Sequence, residues 1–263
     1  MRLERVGVHS RDGGSFEVEI RDWWSIAQVP NGGYLAAILG QACVGLGHHP
    51  DLTNIHAYYL ARSEPGSARV EVETLRVGRG SSAYQARLIQ NDVELVRALA
   101  LCGDFDRMEG HDWHLEPAPE YPRPEACVRL SSNLSVKPKI HDNLHACLRP
   151  EDVGFFGGEP SGRAEHGGWL RFTGDREPSL DCLPFFADAI PPTSFSLLGR
   201  IGWTPTLELG VQLRAKPAPG WIQIRMITRH MNAGHFEEDV ELWDEAGTLV
   251  AVARQRAMLA RTT

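Results

Sequence analysis

Ala61-Arg62-Ser63-Glu64-Pro65-Gly66 and Leu213-Arg214-Ala215-Lys216-Pro217-Ala218-Pro219-Gly220 are one pattern written twice. Arg62 and Arg214, and Pro65 and Pro217, stand 152 positions apart. After a two-residue insertion the spacing becomes 154, and Thr74/Thr228, Gly80/Gly234, Leu88/Leu242, Leu95/Leu249 and Val96/Val250 coincide. A duplication inside one chain frees one copy to keep a reactive site while the other serves as its wall. The place to look for chemistry is where polar residues survive in only one copy.

Working outward, residues 15–21 alternate as a half-buried strand does, with Phe16, Val18 and Ile20 on one face. Pro30-Asn31-Gly32-Gly33 then precedes an apolar run over 34–46. Asn31 is placed to cap a helix there and Gly47 to end it. The helix is apolar nearly all round, so it is expected to be buried. Strands are expected at 55–60, 68–77, 82–90 and 94–104, with Gly78-Arg79-Gly80 and Asn91-Asp92 as turns. Residues 107–135, holding Pro117, Pro119, Pro122 and Pro124, lack periodicity and read as a linker. In the second half, 141–149 is expected to answer 15–21, 155–166 to be loop, and 169–172 to be a strand. A helix is expected at 181–190, stopped by Pro191-Pro192, with strands at 206–216, 221–230, 235–244 and 249–259. Each half is thus strand, buried helix, then antiparallel strands. That is the hotdog arrangement, here doubled into an α+β pseudo-dimer. Its sheets are expected side by side, with the helices on the outer faces of the shared sheet. The expected division is 1–106 for the first unit, 107–135 for the linker and 136–263 for the second.

Bulk properties remove several function classes. The 263 residues are 42% apolar and 23% charged, as in an ordinary globular protein. A net charge of -7 argues against a general grip on nucleic acid or an anionic membrane. No apolar run nears the roughly 18 residues of a membrane span. Residues 1–14 lack a signal-peptide core, and five irregularly spaced cysteines make no disulfide framework, so the expected setting is cytoplasmic and reducing.

Asp188 stands out in Phe185-Phe186-Ala187-Asp188-Ala189-Ile190. A carboxylate in so apolar a stretch either caps a backbone amide or serves as a base of raised pKa. Gln255 follows Val250-Ala251-Val252-Ala253 in the last strand, and Thr206 opens another strand. By the sequence offsets, the first copy has Ala36, Asn54 and Leu101 where the second has Asp188, Thr206 and Gln255. His141-Asp142-Asn143-Leu144-His145 lacks the Glu of a zinc-protease helix, and no metal or cofactor is expected. No G-x-S-x-G elbow is present. Arg62, Arg76, Arg214 and Lys216 read as strand-end charges within reach of a phosphate.

These stretches resemble the TesB-type (type II) acyl-CoA thioesterases, a double-hotdog family. Phe186-Ala187-Asp188, Thr206-Leu207-Glu208 and 249–255 carry the resemblance in the second half. Ile55-His56-Ala57-Tyr58-Tyr59-Leu60 and Val72-Glu73-Thr74-Leu75-Arg76 carry it in the first. The resemblance implies that Asp188, Thr206 and Gln255 orient a water that attacks an acyl-CoA, releasing the free acid and coenzyme A. In hotdog enzymes a helix N-terminus commonly faces the thioester carbonyl, an end that Gly32 and Gly33 supply here unless the pair serves only a tight turn; such chains often pair further through sheet edges, which leaves room for a homo-oligomer. Two rival readings stand beside it: a non-catalytic acyl-CoA or lipid binder, and a hotdog hydratase. The hydratases place a His five residues after the helix Asp, where this chain has Thr193.

Overall fold

A computed structural model of the chain describes residues 14–133, 138–200 and 202–259. The polar stretch 1–13 and the linker end at 134–135 lie outside these residues. Side-chain alternation builds the first half. In β1 (Ser15–Ile20) Phe16, Val18 and Ile20 are buried and their neighbours face out. A small hairpin follows, β2 (Ser25–Ile26) and β3 (Val29–Pro30). Asn31 then caps α1 (Gly32–Gly45) by accepting the Tyr34 N–H at 2.9 Å. Gly47, at φ +77°, closes that helix in the left-handed region, as its sequence position required. The strands β4 (Asp51–Tyr59), β5 (Gly66–Val77), β6 (Ser82–Gln90) and β7 (Val93–Gly103) complete the half.

The second half holds β8 (Val128–Arg129), α2 (Ile140–Asn143), β9 (Leu144–Leu148) and β10 (Glu165–Phe172). The chain continues through α3 (Leu183–Phe186), α4 (Ser194–Leu198), β11 (Thr206–Leu213), β12 (Ile222–Ile227) and β13 (Met231–Asn232). It ends with β14 (His235–Asp244) and β15 (Leu249–Met258). All strands but β2 and β3 join one 13-stranded sheet, ordered β1-β5-β6-β7-β4-β11-β15-β14-β12-β10-β9-β8 with β13 on β14. The fold is the double hotdog. The run β4-β7-β6-β5-β1 is repeated outward from the centre as β11-β15-β14-β12-β10. So β10, not residues 141–149, answers β1; β9 and β8 are additions beyond it.

Two further expectations are corrected. The helices do not occupy outer faces: α1 and α3 lie on one face and pack on each other. Gly33 permits this contact, because a Cβ there would stand 2.3 Å from the Pro184 carbonyl oxygen and 2.8 Å from the Asp188 Cβ. The second copy of the helix is also broken. Where α1 runs 14 residues, the second half makes the short α3, a turn holding Asp188, then Pro191-Pro192 and α4.

Ladder register relates the copies residue by residue. Leu88 pairs with Val70, and Leu242 with Ile224, so the spacing of 154 holds there. Phe16 opposite Val70 then matches Gly168 opposite Ile224, a spacing of 152. At the centre Ala57 pairs with both Ala98 and Leu209, and Val211 with both Ala253 and Ile55. Ala57 therefore answers Val211, and the two-residue insertion falls before β4, earlier than Arg62 and Arg214 suggested. Bulges then shift β15 by one more. Gln255, opposite Glu238, answers Ala100, opposite Tyr84; Thr206, opposite Ala257, answers Leu52, opposite Cys102. Leu101, aligned with Gln255 by the sequence offset, faces outward and is 40% exposed.

The Pro-rich linker is strapped to the second half. Trp169 Nε1 donates to the Pro122 carbonyl at 2.9 Å, Gln223 donates to that of Pro119, and the Tyr121 ring lies against the Arg149 guanidinium. Gly167 leaves room for Tyr121, since a Cβ there would stand 2.5 Å from its ring. Among the described residues no helix is long and apolar enough to cross a membrane.

Candidate active site

The turn after α3 carries Asp188 out of a wholly buried run, Leu183 to Ala187, toward the N-terminus of α1. Asn31 Nδ2 donates to Asp188 Oδ2 at 2.9 Å and to its carbonyl at 2.7 Å. The Gly33 N–H donates to the same Oδ2 at 2.9 Å. The acid thus lies at the tail of its own helix and at the head of the other half's helix, where a negative charge is favoured. Burial is the largest influence on it and pushes its pKa up to about 6, against the pull of Gly33 and Asn31 toward the ionised form. Asp188 thus caps the Gly33 amide, and burial leaves it more basic than an ordinary carboxylate.

A cavity of about 770 Å³ opens beside it. Asp188, Thr206, Gln255 and Gly32 all line it, while Gly33 sits behind Gly32 with its N–H turned to the carboxylate. The Thr206 hydroxyl donates to Gln255 Oε1 at 2.7 Å. Tyr59, from β4, donates its hydroxyl to the Gly32 carbonyl at 2.8 Å and fixes the entry to α1. The remaining wall is largely apolar, with Leu35, Ile140, Phe155, Ile190 and Phe195 among its members. Arg62 and Arg200 are the cavity's two arginines. Of the other strand-end cations, Lys216 pairs with Asp106 and Asp51, Arg76 donates to Ser81, and Arg214 donates to Gln212.

One residue escaped the sequence reading. Glu238 also lines the cavity, is only 1% exposed, and accepts from Gln255 Nε2 at 2.6 Å. Its other oxygen accepts from Thr193 N at 2.6 Å and Thr193 Oγ1 at 2.9 Å. Burial pushes its pKa up to about 7; the Asp188 charge raises it too, while the Thr193 and Gln255 donors act the other way. A signal was available, since Phe236, Glu238, Val240 and Leu242 share the buried phase of β14. Thr193, in the place where hydratases keep a histidine, is spent on Glu238.

A second polar cluster has the parts of a nucleophile pair but not the access. Ser196 Oγ lies 2.7 Å from His166 Nε2, yet the two are 1% and 0% exposed and neither lines the cavity. His166 Nδ1 meets the Pro191 carbonyl at 3.0 Å, and Ser196 donates to the Asp152 carbonyl at 3.1 Å. The pair braces the loop that follows Asp188. The cysteines are equally passive: Cys43, Cys102, Cys147 and Cys182 are buried, and burial pushes their thiols up.

Both halves of the chain match known domains. Residues 20–103 match the acyl-CoA thioesterase N-terminal domain and residues 116–259 the acyl-CoA thioesterase C-terminal domain. The uncharacterized protein Rv0499 of Mycobacterium tuberculosis is 25% identical over 93% of this chain and 90% of its own length. A crystal structure from Thermobifida fusca YX, provisionally described as a thioesterase II, superposes with a TM-score of 0.87 at 26% identity, covering 99% of this chain and 98% of that one. The tesB protein of Mycobacterium avium subsp. paratuberculosis shares the fold, with a TM-score of 0.78 at 16% identity over 98% of each chain.

Proposed function

Because the chain belongs to the acyl-CoA thioesterase family, we propose that it hydrolyses an acyl-CoA to the free acid and coenzyme A, with Asp188 as general base. The observation that carries this reading is the shared cavity of Asp188, Thr206 and Gln255. Asn31 and Gly33 hold Asp188 Oδ2, and Gly32 and Gln255 also hydrogen-bond to the carboxylate; a remaining lone pair of Oδ1 takes a proton from water. The Thr206 hydroxyl spends its proton on Gln255, so its lone pairs accept the water's other hydrogen. The water oxygen bonds to the thioester carbon and the carbonyl becomes an oxyanion against the Gly32 end of α1, where the helix dipole favours negative charge. The intermediate expels the thiolate of coenzyme A, which takes the proton from Asp188. The acid leaves as carboxylate plus one proton to solvent, and no acyl group is ever bonded to the protein.

In this reading the second half supplies the reacting groups. The first half supplies a wall, Asn31, Gly32, Leu35 and Tyr59. The apolar cavity takes the acyl chain, and Arg62 and Arg200 face the phosphates of coenzyme A. A thiol-release assay over a panel of acyl-CoAs tests it. Release of free thiol with stoichiometric free acid supports the proposal; tight binding of the panel without release would leave a carrier protein instead.

A further inference from the structure

Glu238 is costly where it stands. It occupies the apolar phase of β14, 1% exposed, in a fold whose first copy places Tyr84 at the same register. A buried carboxylate persists only where donors surround it, and here three do: Thr193 N, Thr193 Oγ1 and Gln255 Nε2. Thr193 is held in turn, with its hydroxyl 2.7 Å from that of Thr228. Anchoring Thr193 explains one oxygen of Glu238. The other oxygen is spent on Gln255.

We propose that Glu238 is the positioning residue of this site, fixing which way the Gln255 amide faces and, through it, the Thr206 hydroxyl. The inference rests on the hydrolase reading for its consequence and on geometry for its substance. The two ends of a glutamine amide have the same shape and opposite hydrogen-bonding character. An ionised carboxylate only accepts, so Glu238 draws the NH2 end toward itself. Oε1 is thereby turned to Thr206, whose hydroxyl donates to it at 2.7 Å. Only with the hydroxyl proton pointed there are the threonine lone pairs free for water. The titratable group facing Glu238 is Asp188, across the same amide; the other groups around it, Gln255, Thr193 and Thr228, carry no charge. Glu238 touches no reacting atom, and its effect passes through Gln255.

The test uses Glu238→Gln, which keeps volume and an acceptor for Thr193 but sets an NH2 group against the Gln255 NH2. With the hydrolase active, kcat is expected to fall about tenfold, the scale of a lost charge-assisted hydrogen bond, with KM within about twofold. A second readout needs no turnover. In the 15N-labelled full chain, the Gln255 side-chain NH2 signals, assigned by their loss in Gln255→Ala, are expected to titrate with a midpoint near the Glu238 value of about 7. Glu238→Gln is expected to remove that step and to leave only the one from Asp188, to which the Gln255 side chain is also hydrogen-bonded, near 6. Wild-type kcat in Glu238→Gln, or wild-type amide signals with no step near 7 that Glu238→Gln removes, would overturn the proposal. If the wild type hydrolyses no acyl-CoA, the hydrolase reading falls alone: an amide midpoint near 7 still sustains the positioning role, and a flat titration still ends it.

Discussion

Asp188 shows how one side chain is tuned by what faces it. Burial raises its pKa, and the two donors on Oδ2 keep the ionised form within reach at neutral pH. Activity is therefore expected to rise with pH through about 6, because a protonated carboxyl accepts no proton. A kcat/KM profile without an acid limb in that range would remove Asp188 as the base. Stability runs the opposite way. The folded-state pKa lies above the ordinary 3.8, so the stabilisation belongs to the protonated acid. It is complete below about pH 4 and lost as pH rises through about 6. Asp188→Asn, neutral throughout, is expected to gain on the wild type by on the order of 2 kcal/mol between pH 4 and 8. Thermal melts of both proteins at those two pH values measure it, and a gap that does not widen contradicts it. Oxygen labelling asks whether water attacks directly. A single turnover in 18O-water is expected to place 18O in the released acid at once. Unlabelled acid from the first turnover would mean that Asp188 had itself bonded to the acyl group. The residues were legible unequally. Asp188 was visible because it interrupts an apolar helix end, whereas Glu238 hid among Glu237, Asp239 and Glu241, which face out of the same strand.

Among the elements, the strands were written most plainly in the sequence. Both β6 and β14 begin and end where alternation and turn residues put them, and Asn91 and Asp92 take the positive φ of a tight turn. The helices were harder. The two copies share apolar content, but in the second Pro191-Pro192 stand between α3 and α4, while Pro184 lies in the first turn of α3, where proline is tolerated. That break is what lets Asp188 leave the helical path and reach the head of α1. Residues 141–149 misled because they do contain a strand, β9, and only the ladder shows that it lies outside the repeated set. The contact of α1 on α3 yields an element-scale prediction. Gly33→Ala would push a methyl group into the Pro184 carbonyl and the Asp188 Cβ. A loss of about 1–3 kcal/mol is expected from the forced separation, with a fall in kcat as Asp188 is displaced. Urea denaturation and turnover of the same variant check both, and an unchanged protein would mean that the helices do not meet this closely.

Across the whole molecule, the candidate site draws on both halves of the duplication. Register places Leu52, Tyr84 and Ala100 where the second copy has Thr206, Glu238 and Gln255, and all three are buried, at 4%, 1% and 2% exposure. In the first copy these places are core. This was half-legible: the repeat itself was in the sequence, but bulges shift the pairing by a residue and gave Gln255 the wrong mate, Leu101. The distinction is testable. Leu101→Gln, on the outer face, is expected to change stability by less than about 0.5 kcal/mol. Ala100→Gln is expected to cost about 1–3 kcal/mol, because its amide enters packed apolar space. Neither is expected to create a second site, so calorimetry with a non-hydrolysable acyl-CoA thioether is expected to give one ligand per chain in both and in the wild type. Two per chain would mean that the first copy still binds. The central claim, that turnover in this double fold depends on one carboxylate in its second half, is met most directly by the kcat of Asp188→Asn. A fall of at least about a hundredfold, with the fold and thioether binding retained, is the predicted result; turnover at the wild-type rate would contradict it.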